Sequence, residues 1–255
     1  ATGGEVIAGQ FLGKKMTEMA CKATNQLLAF TLKASLAVMI LGYLGRNLIT
    51  HVIFGNIEAD VLYNCNVYMM IVFASIPMIA LYNAGAAAFR AMGNSSIAMK
   101  TSLLMNAINI CGNAILIYGL HRGVEGVAIP TLVSRTVACI VMLIMLNNQK
   151  HMVHIYHPFS FKTDWSLLKK ILYIGIPNGL ENSMFQLGKI MVLSIVTGFG
   201  TASIAANAVS NNVATFATLP GMAIGFAMLT VVSQCVGAGD FEQVKYYTKK
   251  LIKII

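Results

Sequence analysis

Charge is what this chain has least of. Charged residues make up 11% of its 255 positions, and only nine are Asp or Glu. Soluble domains carry about a quarter charged residues, so an ordinary water-soluble globule is excluded. There is one tryptophan and there are five prolines. The five cysteines, Cys21, Cys65, Cys111, Cys139 and Cys235, are scattered with no CxxC pair. That excludes a disulfide framework and a thiolate zinc site, and leaves them as small buried apolar residues. No DDxxD, HExxH, GxSxG or P-loop pattern occurs. A membrane-embedded transferase would want paired acids or a His–acid pair, so enzyme chemistry is not expected.

What is present is apolar. Hydrophobic residues reach 57% and the mean hydropathy is +0.71. A spanning helix needs about 20 mostly apolar residues. Suitable runs cover 23–49, 67–89, 101–120, 126–149, 171–198 and 201–236, and residues 1–12 read as the tail of another helix. No charge falls between Ile190 and Gly239, and Gly198-Phe199-Gly200-Thr201 supplies the turn that splits this stretch. Both ends of the chain read as cut inside helical runs, so a fragment is expected. The class is an all-α polytopic membrane bundle.

The net charge of +9 sits in the connections, not on a basic helix with interleaved aromatics, so nucleic acid is not an expected partner. One set of connections holds Lys14, Lys15 and Lys22, then Arg90 and Lys100, then Lys150, Lys162, Lys169 and Lys170, then Lys245, Lys249 and Lys250. The alternate set holds only Arg122, with Arg46 near a helix end. The basic set belongs in the cytoplasm. The longest polar connection contains His151, His154, His157 and Pro158. With no Cys or carboxylate at matching spacing, a metal site is not expected there. It divides the chain into a partial first lobe over 1–148, a cytoplasmic linker over 149–168 and a partial second lobe over 169–255.

The chain also repeats itself. Residues 7–13, IAGQFLG, align without a gap on residues 231–237, VVSQCVG, at an offset of 224. Farther on, Glu18 matches Glu242, Thr24 matches Thr248 and Leu27 matches Leu251. Six helices lie within that offset, an even number, so both copies enter the membrane from the same side. This predicts a parallel repeat about an axis along the membrane normal: two pseudo-symmetric six-helix lobes, incomplete here, with about seven helices present.

Several patches carry a family resemblance. Residues 175–183, GIPNGLENS, look like the G-x-P-x-x-x-E stretch that opens the second lobe in the multidrug and toxic compound extrusion (MATE) family. Residues 234–240, QCVGAGD, resemble that family's turn after its eighth helix, and residues 90–94, RAMGN, its turn after the fourth. Residues 123–128, GVEGVA, with Ser134-Arg135, resemble the start of its sixth helix. The resemblance implies a segment running from about the second to the eighth of twelve spanning helices. It implies a multi-pass cell-membrane antiporter that exports drugs or metabolites, often organic cations, against Na⁺ or H⁺. No cofactor beyond the coupling ion, a lipid bilayer and a small-molecule substrate as partners, and a monomeric full-length protein are expected. The alternative is a lipid-linked oligosaccharide flippase of the same superfamily, which would want more cavity cations than Lys33, Arg135 and Lys189.

Candidate site residues follow. Glu181 sits in mid-helix, where inserting a carboxylate costs about 2.5–3.5 kcal/mol; such a group handles protons or cations, and pairing with Lys189 is the structural alternative. Pro177, one turn earlier, frees a backbone carbonyl. Asn106, Asn109 and Asn113 share one helix face, either lining a cavity or hydrogen-bonding between helices. Asn109 and Asn113 resemble the family's N-x-x-x-D pair at a first-lobe cation site, with Asn113 in place of Asp. Glu181, Asn109 and Asn113 are therefore the expected coupling residues. Ser203, Asn207, Ser210 and Asn211 form a second stripe, and Asn207 could face Glu181. Asn106, Lys189, Asn207, Ser210 and Asn211 are the expected cavity residues. Arg135 is assigned a structural role and Glu5 an interfacial place. Pro77, Pro130, Pro177 and Pro220 predict kinks within spans.

Overall fold

The computed structural model describes residues 1–54, 59–155 and 163–254. His157, Pro158 and Lys162 lie outside the described residues. Among those described there are eight α-helices and no strand: α1 Thr2–Gly13, α2 Thr17–Phe54, α3 Ala59–Ala91, α4 Ser95–Ala114, α5 Glu125–Asn147, α6 Trp165–Thr197, α7 Thr201–Ala238 and α8 Phe241–Ile252. A π turn over Ile115–Gly119 ends α4. Every apolar run in the sequence is a helix. Most extend a few residues beyond the apolar run, because polar helix ends carry no hydropathy signal. The expected turn at 198–200 separates α6 from α7, with Gly200 at φ 93°. All four intrahelical prolines, Pro77, Pro130, Pro177 and Pro220, lie inside their helices.

Five helical segments are long and apolar enough to cross a bilayer: Thr17–Arg46, Leu62–Ala91, Ser95–Gly119, Glu125–Asn147 and Ser203–Ala238. The helix α6 is long enough, but Asn178, Glu181, Asn182, Gln186 and Lys189 dilute its hydropathy. Large side chains such as Leu44, Leu103, Ile110, Ile144 and Phe216 are exposed on these helices. In lipid that is the ordinary outer face of a helix whose backbone bonds are satisfied internally. The chain is a multi-pass membrane protein.

The core lies where α1, α2, α3 and α5 converge. Phe89, Met142 and Leu146 are fully buried there, with Leu27, Leu28, Tyr82 and Ile171 around them. The run Ala84-Gly85-Ala86-Ala87-Ala88 gives α3 a face without bulk, and Met142 of α5 packs against Gly85. Small residues are how membrane helices approach closely without a hydrophobic force between them.

The basic connections gather at one end, as the alternation of Lys and Arg predicts. The Cys21 thiol at the start of α2 lies 3.7 Å from the Met152 carbonyl. The Val153 amide reaches Met92 Sδ in the α3–α4 turn at 3.2 Å. His151 stands edge-on to Phe89. Gln234 Nε2, near the end of α7, donates to the Ala91 carbonyl at 2.7 Å.

The repeat has a structural counterpart at the same offset. Lys15 after α1 has φ 59° and Gly239 after α7 has φ 77°. In the first turn the Lys15 amide donates to Leu12 and the Met16 amide to Phe11; in the second, Gly239 donates to Val236 and Asp240 to Cys235. Each of these pairs is shifted by 224. Lys15 carries a left-handed backbone that glycine adopts without strain in the second copy.

Candidate functional site

The two repeated helix ends also meet. A Cβ at Gly13 would collide with the Gln234 carbonyl oxygen, and one at Gly237 with the Gln10 carbonyl oxygen. A Cβ at Gly9 would collide with Ser233 Oγ. Gly13 and Gly237 are equivalent in the repeat, as are Gln10 and Gln234, and Gly9 and Ser233. The contact is therefore reciprocal, as at a two-fold interface, where residue i meets j and j meets i. At Gly13 and Gly237 the two helices meet backbone to backbone.

Polar side chains cluster away from this crossing, between α6 and α7. A cavity of about 380 Å³ is lined by Gln186, Lys189, Leu193, Ile204, Asn207 and Asn211, among others. Three of the expected cavity residues, Lys189, Asn207 and Asn211, are thus brought together. Lys189 Nζ lies 4.9 Å from the centre of the Phe185 ring, so the cation is held by an aromatic face.

Glu181 lies outside this cavity. It is exposed on α6, with no ion-pair partner among the described residues. The alternative pairing with Lys189 is not formed. Eight residues along a helix are about 12 Å of rise and about 80° of rotation, too far for contact. Asn207 accordingly meets the Lys189 stretch of α6 rather than Glu181. Ser210 is exposed and outside the cavity lining, while Ser203 donates back to the Phe199 carbonyl.

On α4, Asn109 Nδ2 donates to Thr131 Oγ1 on α5, and Asn113 Nδ2 donates to Asn109 Oδ1, both at 3.2 Å. Asn113 Oδ1 is buried without a partner. The pair is thus both a link between helices and a donor set with one acceptor to spare. Asn106 is exposed on α4. Arg135 donates from Nη1 to Ser75 Oγ at 2.6 Å, tying α5 to α3 as a structural residue would. Lys33 Nζ bonds Thr163 Oγ1, just ahead of α6. Among the described residues no group of His, Cys, Asp and Glu could hold a metal. His154 instead lies beside Cys21 and the His151 carbonyl.

Glu5 corrects the sequence reading. It is not interfacial but 1% exposed, and its Oε2 accepts from Arg90 Nε at 3.0 Å and Nη2 at 2.9 Å. The signals were one acid in an apolar tail and one Arg at a helix end. The 85 residues between them hid the pairing.

The MatE family model matches residues 1–115 and 177–255. The chain is 27% identical over 256 residues to "Probable multidrug resistance protein YoeA" of Bacillus subtilis, covering 96% of this chain and 54% of that protein. It is 26% identical over 197 residues to "Probable multidrug resistance protein NorM" of Thermotoga maritima, covering 75% of this chain and 42% of that protein. A solved structure, "Outward-facing conformation of a multidrug resistance MATE family transporter of the MOP superfamily", superposes with a TM-score of 0.86 at 20% identity, over 99% of this chain and 56% of that one. The chain spans about half the length of the curated relatives it matches.

Proposed function

The chain belongs to the MatE family, and from that premise we propose that it is part of a secondary transporter that exports drugs or metabolites in exchange for Na⁺ or H⁺. The observation that carries this reading is the reciprocal crossing of α1 and α7. Two copies of one helix end that touch through bare backbone can also part. A cleft flanked by two such lobes would then open to either side in turn, and a ligand moves across by favouring one state over the other.

The cargo meets the second lobe at the cavity of Lys189, Asn207 and Asn211. Amides and a ring-held ammonium suit a neutral or weakly anionic polar group there, and the apolar remainder of the lining suits the body of a drug-like molecule. Glu181 is the coupling carboxylate, since it is the one acid within α6, lacks an ion-pair partner among the described residues, and follows Pro177, which loosens the turn before it. Asn109 and Asn113 hold the first-lobe end of the coupling path, with the spare Asn113 oxygen as the cation ligand. The flippase alternative is disfavoured by the cations themselves. Arg135 is engaged by Ser75 and Lys33 by Thr163, which leaves Lys189 alone at the described cavity, too little for a diphosphate.

The test is the full-length protein in liposomes, loaded in turn with a fluorescent organic cation and with a neutral or weakly anionic dye, under an imposed Na⁺ or proton gradient. Export that stops when the gradient is collapsed supports antiport. Flux that is indifferent to the gradient would make the protein a channel and end this reading.

A further inference from the structure

The Glu5–Arg90 pair lies off the cavity and the coupling residues, and its surroundings give it a role. The Arg90 side chain is 22% exposed and holds Glu5 Oε2 with two donors. The guanidinium carbon lies 5.1 Å from the centre of the Phe226 ring on α7. The next carbonyl, that of Ala91, accepts from Gln234, also on α7. The last turn of α3 is thus tied to α1 by charge and to α7 by a ring and an amide. Glu5 Oε1 remains buried with no partner.

The pair is particular to the first copy of the repeat. At the offset of 224, Glu5 corresponds to Leu229, so the same place in the second copy is apolar. A buried ion pair is a poor stabiliser compared with well-packed apolar residues. An orphaned acceptor makes it poorer still, because the closed arrangement carries an unmet hydrogen bond that water would satisfy on opening. Such a pair suits a two-state contact better than a permanent one.

We propose that Arg90, anchored by Glu5, is a latch between the lobes at the basic end of the bundle. With the cleft shut on that side, Arg90 engages Phe226 and Ala91 engages Gln234. When α7 swings away, both contacts break, Arg90 stays on Glu5, and water reaches Glu5 Oε1. Arg90 and Glu5 are positioning residues: they touch neither cargo nor coupling ion, and they set how much time the cleft spends open to the cytoplasm. The inference rests on the two-lobed transporter reading.

The test uses the full-length transporter in liposomes, with spin labels on cysteines placed at Ser96 and Glu242. Both positions are exposed, Ser96 in the first turn of α4 just after Arg90 and Glu242 in the first turn of α8 just after α7. The wild type gives mostly short distances. Phe226→Leu removes the ring and spares the ion pair; Arg90→Lys keeps the charge but loses the planar fork. Neither leaves a buried charge alone, so both fold. Each raises the ratio of long to short distances about fivefold, the scale of one partly desolvated cation–π contact. Distance distributions that overlay the wild type in both variants overturn the latch, and a lower melting temperature without a distance change marks the pair as structural only. Gradient-driven export by the wild type is scored separately. Its absence would sink the transporter reading whatever the labels report, while export with unmoved distances would sink the latch alone.

Discussion

Two acids, Glu5 on α1 and Glu181 on α6, lie within helices, and their surroundings differ. Glu5 is buried and doubly hydrogen-bonded by Arg90; Glu181 is exposed on α6 without an ion-pair partner. Removing one partner of a buried pair strands the other charge, which costs about 3–5 kcal/mol. Arg90→Ala is therefore expected to lower the melting temperature of the full-length protein in detergent sharply. The double variant Glu5→Leu, Arg90→Met recovers most of that loss, because it removes both charges at once. Glu181→Gln should change the unfolding free energy by no more than about 0.5 kcal/mol, as for an exposed substitution, and abolish gradient-coupled export. Transport at the normal rate by that variant would remove Glu181 from the mechanism. Glu181 was legible in the sequence because one carboxylate in a long apolar run stands out by composition. The Glu5–Arg90 contact was not, since pairing across the fold leaves no local pattern.

Among the helices, the apolar runs matched the order of the helices, although the run at 171–198 became α6, which is not among the five segments apolar enough to cross a bilayer. Boundaries were off by a few residues wherever a helix began with polar caps. Asp240 shows why: its carboxylate accepts from the Gln243 amide at 3.0 Å and starts α8, a signal of capping and not of hydropathy. Asp240→Ala should destabilise that helix start by about 1 kcal/mol, measurable as faster amide exchange at the N-terminus of α8. The crossing of α1 and α7 makes a stronger demand. At Gly13 and Gly237 a methyl group would meet backbone atoms of the facing helix, which cannot move aside as a flexible side chain can. Gly13→Ala and Gly237→Ala should each cost about 1–3 kcal/mol through overpacking, read as a fall in melting temperature. Because the contact is reciprocal, the two falls should be similar. A neutral result at either position would show that α1 and α7 do not touch there. The repeat itself was visible in sequence, as was the glycine at each copy's end. That the copies pack on each other was not, because an internal match gives equivalence without distance.

For the molecule as a whole, the parts agree on one arrangement. A repeated helix end turns the same way twice, the two copies meet at closely packed glycines, and Lys189, Asn207 and Asn211 line a cavity between α6 and α7. The first-lobe stripe is divided: Asn109 and Asn113 bond to each other and to Thr131, while Asn106 is exposed on α4. Sequence periodicity put them on one face, and only packing could separate those that face a helix from the one that does not. In the proposed mechanism the two lobes part at the crossing during each cycle. The most direct measurement joins them there: cysteines at Lys14 and Ala238, in a full-length protein otherwise free of cysteine, bridged by a short reducible linker in liposomes. Gradient-driven export should stop when the bridge forms and return when it is reduced. Export that continues undiminished with the bridge intact would contradict the account.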